Sequence, residues 1–152
     1  MTPRTLYLRL ALAEMVTWTL LILGMIGKYA FGLEWATTVG GSIHGFVFLC
    51  YAVTTVAGWI DKRWSFGTGV LGLASAIIPY ATYPFERSVQ RRGLLAGPWR
   101  LGKDGESPRS LPERLLATAL RSPILALIVT VIVVAIVFTL LLVAGKPTEW
   151  FS

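Results

Sequence analysis

Four ionisable side chains stand within or at the rims of long apolar runs: Glu14, Lys28, His44 and Glu86. A charge in hydrocarbon is costly unless it is paired or faces water, so such residues point to a proton or ligand site, or to an interhelical link. His44, Phe48, Tyr51 and Thr55 recur at i, i+4, i+7 and i+11, the spacing of one helix face. Ser75, Pro79, Thr82 and Glu86 repeat that spacing further on. With Lys28 at the mouth, the two faces predict a polar cluster of Lys28, His44, Tyr51, Thr82 and Glu86 in one leaflet. A plainer reading of the same residues is a hydrogen-bonded network holding three helices together. Gly41-x-x-x-Gly45, and Gly69, Gly72 and Ala76, would then let backbones approach closely. Glu14 is expected to pair with Lys62 or Arg63 at the end of the second run, fixing how the first two helices pack.

Other chemistries lack their residues. Cys50 is the single cysteine, so the chain has no internal disulfide, and one histidine cannot make a bis-histidine haem site. There is no Cys/His cluster, glycine-rich phosphate loop or nucleophile elbow. No enzyme activity, metal or cofactor is expected. A transporter fold would call for an internal repeat or paired broken helices, and neither is visible.

The elements that must carry these residues follow from composition. Of 152 residues, 55% are hydrophobic and only 14% charged, which makes lipid the main solvent. Apolar runs near 8–27, 38–60, 66–84 and 123–144 each match the ~20 residues that cross a bilayer, and in lipid each must be helical. The expected fold is all-α, four transmembrane helices with a short amphipathic interfacial helix before the fourth. It divides into a three-helix core (1–92), a basic loop with the interfacial helix (93–122), and the fourth helix with a short tail (123–152). Arg4 and Arg9 precede the first run as in a signal peptide, but Glu14 within it and no small-x-small site after it favour a retained span.

The stretch from Phe85 to Ser122 holds eight of the fourteen basic residues, and its middle from Gly97 to Pro108 has turn-forming composition. Ser110-Leu-Pro-Glu113 matches a capping box. Glu113 to Arg121 reads as an interfacial helix, and Ser122-Pro123 as a bend into the fourth span. Trp35, Trp59, Trp64, Trp99, Trp150 and Phe151 fall near predicted membrane edges. The net charge of +6 gathers between apolar runs, which suits anionic lipid headgroups and not nucleic acid. With four crossings, basic counts put the long loop in the cytoplasm and both termini outside.

Ala13-Glu14, Trp18, Gly24-Met25 and Lys28-Tyr29 in the first run, Gly40, His44-Gly45, Phe48 and Tyr51 in the second, and Pro79, Thr82 and Phe85-Glu86-Arg87 after the third form an ordered set. In these positions the first ninety residues resemble the YdzA-like family of small bacterial integral membrane proteins, a three-helix domain of unknown function. Ile26-Gly27 stands where that family tends to have proline, and the fourth run lies outside its core. The resemblance implies a bacterial inner-membrane protein and an architecture, but no activity. The function expected is an interaction protein, an accessory or scaffold subunit packing against other membrane subunits or against itself. The competing reading is a small-molecule, lipid or quinone-binding module using the Lys28, His44 and Glu86 cleft.

Overall fold

The length of an apolar run fixes how long its helix can be, but the place where the helix breaks decides whether it crosses. The computed structural model describes residues 1–143. Lys146, Trp150, Phe151 and residue 144 of the fourth predicted span lie outside them. All regular structure among the described residues is helical: α1 (Pro3–Phe31), α2 (Glu34–Asp61), α3 (Phe66–Ile77), α4 (Thr82–Arg91), α5 (Leu111–Arg121) and α6 (Pro123–Val143).

α1 begins where the Thr2 hydroxyl accepts from the Thr5 amide at 3.3 Å, with Pro3 in the first turn. It stops at Gly32, as its sequence predicts. Gly32 takes φ 68°, its amide donates to Lys28 O, and the Leu33 amide reaches back to Gly27 O. α2 returns antiparallel at very close range. A Cβ on Gly24 would lie 2.7 Å from Ala36 O, and one on Gly40 would lie 3.0 Å from Leu20 O. These glycines set the approach instead of Gly41 and Gly45. A Cβ on Gly45 would meet nothing within 4 Å, and one on Gly41 would meet only the Leu21 methyl at 3.9 Å.

The third predicted span is not one continuous helix. α3 has 12 residues, or ~18 Å of helix against ~30 Å of hydrocarbon. Pro79 drives Ile78 out of helical geometry to φ −95°, ψ 121°. Tyr80 is left-handed at φ 65°, and the Ala81 amide closes the turn on Ile78 O at 3.1 Å. Proline second and a left-handed residue third is the arrangement of a type II turn, with tyrosine where glycine is favoured. α4 then runs back beside α1. The Trp18 indole donates to Ala76 O at 3.4 Å, the Thr82 hydroxyl donates to Ala11 O at 3.1 Å, and the Phe85 ring lies 6.4 Å from that of Tyr7. Gln90, with its amide oxygen turned to the guanidinium, accepts from Arg4. As the chain advances from Ala76 to Gln90, its partner on α1 retreats from Trp18 to Arg4. α3 and α4 therefore form a hairpin that enters and leaves at one end. In place of four crossings, α1 and α2 have the length and composition of spans, and the bent pair α5–α6 is at most a third.

The hairpin also relocates the basic loop. Residues 93–110 contain neither helix nor strand, in keeping with their turn-rich composition, yet Leu95 and Leu101 are buried. The Trp99 indole donates to Met1 O at 3.1 Å and that of Trp64 to Leu94 O at 3.0 Å. Loop and N-terminus thus share one end, where four crossings would have put them on opposite sides. Trp64, expected at a membrane edge, is instead a buried anchor with its ring edge-on to Tyr7 and Phe85. Ser110 caps α5 as predicted, although Glu113 reaches back to the Arg109 amide (2.7 Å) and not to that of Ser110. α6 departs from α5 at 115°, the bend expected at Ser122-Pro123.

Candidate functional site

The cluster predicted from helix spacing is dispersed. Lys28 pairs with Glu34 at 3.0 Å where α1 meets α2. Glu86 lies at the other end, on the α4 face that buries Thr82 and Val89 and half-buries Phe85, beside Tyr7 and Arg4. Lys28 and Arg4 are 24 residues apart on one helix, ~36 Å. The doubling back of the third run carried Glu86 away from Lys28, and the cleft of Lys28, His44 and Glu86 does not form.

Two other polar groupings form in its place. In the first, the Tyr7 hydroxyl donates to that of Tyr51 at 2.9 Å, and Tyr51 lies 3.0 Å from the Ser75 hydroxyl. Ser75 spends its proton on Gly72 O at 2.7 Å, so Tyr51 must be the donor to Ser75. Thr55 lies 3.0 Å from the Tyr7 hydroxyl and donates to Tyr51 O at 2.8 Å. This hydroxyl chain ties α1, α2 and α3 together with every member buried. The faces predicted for Tyr51 and Thr55, and for Ser75, Thr82 and Glu86, do turn inward, the latter split between two short helices. Gly69 and Gly72 make room as expected: a Cβ would strike the Trp59 ring at 2.0 Å and the Thr55 methyl at 2.7 Å.

The second grouping sits deeper. His44 Nδ1 lies 3.2 Å from Glu14 Oε2 and 3.2 Å from the Thr17 hydroxyl, which itself lies 3.1 Å from Glu14 Oε2. The Trp18 ring covers the imidazole at a centroid distance of 4.4 Å. Glu14 does link α1 to α2, but through His44, about five helical turns from the expected Lys62 or Arg63. Glu14 Oε1 and Glu86 Oε2 are buried with no hydrogen-bond partner among the described residues.

Lys62 and Arg63 serve the loop instead. Lys62 Nζ donates to Ala96 O and Pro98 O, at 3.0 and 2.5 Å, and Arg63 lies 3.7 Å from both Glu106 and Glu113. The organising pair here is Asp61 and Arg100. Asp61, wholly buried, accepts from the backbone amides of Arg100 (3.0 Å) and Leu101 (2.9 Å). The Arg100 guanidinium caps the last carbonyls of α2, Asp61 O at 2.6 Å and Ile60 O at 3.3 Å, and reaches Glu113 at 2.7 Å. The Arg109 amide and then Arg100 hold the Glu113 carboxyl down at about 2. Arg100 was legible only as one basic residue among many, since its α2 partners lie 39 and 40 residues away. Tyr7 had no periodic pattern to mark it.

Known proteins share this half of the molecule. Residues 4–91 match the model of a domain of unknown function, DUF3817. The chain belongs to that family. It is similar to the membrane protein SCO5905 of Streptomyces coelicolor, 34% identical over 91 residues, 59% of this chain and 11% of that one. It is also similar to the uncharacterised membrane protein YdzA of Bacillus subtilis, 28% identical over 71 residues, 47% of this chain and 74% of that one. The chain therefore spans about a tenth of the Streptomyces protein's length and about three quarters of YdzA's. No solved structure matches. The matched segment runs from the first turn of α1 to the end of α4, so the YdzA-like resemblance holds. The segment includes both polar groupings and excludes the loop, α5 and α6.

Proposed function

We propose that this protein is an integral membrane interaction module, an accessory subunit that receives a transmembrane helix of a partner subunit or of a second copy. The observation that carries the reading is the half-depth turn of the α3–α4 hairpin. Beyond Trp18 and Tyr80, α1 and α2 have only each other among the described residues; a Cβ on Gly45 would meet nothing within 4 Å, and one on Gly41 only the Leu21 methyl. In lipid, small residues of this kind are where helix backbones meet, because packing and not water exclusion drives association. The buried hydroxyl chain supports a structural role for the polar groups, since each hydroxyl is spent on holding helices together.

The orientation we infer puts the N-terminus and the basic loop in the cytoplasm. With the hairpin folded back, Arg4, Arg9, Lys62, Arg63 and the eight loop cations gather at one end, and among the described residues Lys28 is the one cation at the other.

Association is tested by purification in mild detergent with mass determined by light scattering. The wild type should run as a complex, and Gly41→Leu with Gly45→Leu should dissociate it while leaving the melting temperature nearly unchanged. Gly40→Leu, which clashes inside the hairpin, should lower melting instead, by about 1–3 kcal/mol. A wild-type monomer, or a complex indifferent to leucine at both glycines, would contradict the proposal.

A further inference from the structure

Five cations at the loop end are committed to protein partners. Lys62 and Arg121 hold loop carbonyls, Arg63 and Arg100 hold carboxylates, and Arg4 holds Gln90. Arg87, Arg91 and Arg92 are different. They stand exposed on the outward side of α4 and its last turn, and among the described residues none makes an ion pair or a side-chain hydrogen bond. The opposite face of the same helix is packed against α1 through Thr82, Phe85, Glu86 and Val89, so the three guanidinium groups are carried on a fixed element. With Tyr83, Pro84 and Ser88 they line an open cleft of about 600 Å³, and the Arg87 guanidinium lies 5.5 Å from the centre of the Tyr83 ring. Depth completes the picture. α4 climbs from the mid-membrane turn, its Thr82 is level with Ala11, and its Gln90 is level with Arg4 at the start of α1. Arg87, Arg91 and Arg92 therefore emerge at headgroup height, with Tyr83 just beneath, where amphipathic rings settle.

We propose that this cleft binds the phosphate of an anionic phospholipid in the leaflet that the hairpin enters. Guanidinium forks match phosphate oxygens in bidentate fashion, and a dry protein partner for three adjacent arginines is not supplied by the fold. The acyl chains would lie along the hairpin below Tyr83, where Ile77 and Ile78 beside the turn are exposed. Basic residues near a membrane surface each strengthen the attraction to anionic lipid several-fold.

The test uses the full chain in mild detergent, titrated with dioleoyl phosphatidylglycerol or dioleoyl phosphatidylcholine, with bound lipid counted by native mass spectrometry. Phosphatidylglycerol should be retained in preference to phosphatidylcholine. Arg87→Gln, Arg91→Gln and Arg92→Gln together should weaken that retention about tenfold. Lys103→Gln with Arg114→Gln, which removes exposed cations elsewhere, should leave it within about twofold. Because the three arginines make no ion pair or side-chain hydrogen bond among the described residues, the triple variant should melt close to the wild type. Equal retention of both lipids, or equal loss in the control variant, would reduce the cleft to diffuse charge and overturn the proposal. Displacement of the lipid by millimolar inorganic phosphate would also overturn it, assigning the cleft to a soluble anion.

Discussion

α1 and α2 each live in two environments, and their two halves are built differently. At the loop end they are packed by α3, α4 and residues 93–110. The buried aromatic core of Tyr7, Tyr51 and Trp64 lies there, as do the hydroxyl chain and the Asp61–Arg100 pair. At the other end, among the described residues, the same helices meet only each other, through Gly24 and Gly40, and turn Leu23, Ile26, Val39 and Ile43 outward. Among the described residues the polar side-chain links between different elements lie mainly in the first half, while the second holds the exposed Lys28–Glu34 pair and the Thr37 hydroxyl on Gly24 O. A half-depth hairpin gives one leaflet a protein core and leaves the other leaflet with a bare helix pair. A membrane domain of this size can thus be rigid at one surface and open to association at the other.

If the loop end is a true core, its largest single cost should come from Arg100→Met. That change takes the guanidinium partner from the buried Glu113 carboxylate and uncaps α2. Breaking a buried pair of this kind typically costs about 3–5 kcal/mol, read as a lowered unfolding midpoint in detergent. An effect below about 1 kcal/mol would make the loop a loosely attached appendage and dissolve the contrast between the halves.

A smaller effect should follow pH. The Glu113 carboxyl titrates near 2 in the folded protein, below its ordinary value of 4.5, so its contribution is present above about 4.5 and is lost as pH falls towards about 2. Wild type should therefore be more stable than Glu113→Gln at pH 7. The gap should close between about pH 4.5 and pH 2 in parallel melting curves. A gap independent of pH would mean that charge at Glu113 plays no part.

The smallest effect should come from Tyr7→Phe, which removes one donor from the hydroxyl chain and leaves the ring stacking. Interhelical hydrogen bonds in membranes average ~0.6 kcal/mol, so the midpoint should move slightly and the purified mass not at all. A loss of several kcal/mol would make the hydroxyl chain, and not apolar packing, the main source of the core's stability.

Hydropathy made the two long helices legible, together with the Gly32 stop, the Ser110 cap and the bend at Ser122-Pro123. It could not separate a helix that crosses from one that doubles back, because residues 66–84 are apolar under either arrangement. The discriminating signal was Pro79, which disfavours a helical Ile78, but in a period count it registers as one more member of a face. That single break misplaced Glu86, and with it the predicted cluster and the end at which the N-terminus lies relative to the long loop. Glu14 and His44 were legible as intramembrane residues. Their mutual pairing was not, because register between antiparallel helices depends on Gly24 and Gly40, which a list of charged residues ignores. The Asp61–Arg100 pair spans 39 positions and a loop with no periodicity, so no local pattern announces it.

The central claim is that α3 and α4 re-enter and do not cross, and sidedness tests it most directly. With Cys50 replaced by alanine, single cysteines are placed at Thr2, Gly32 and Ser107 and probed in intact cells with a membrane-impermeant thiol reagent. Thr2→Cys and Ser107→Cys should behave alike, protected until the membrane is opened, while Gly32→Cys is labelled from outside. Labelling of Thr2→Cys and Ser107→Cys from opposite sides would mean that the third apolar run crosses the membrane, and would contradict the account.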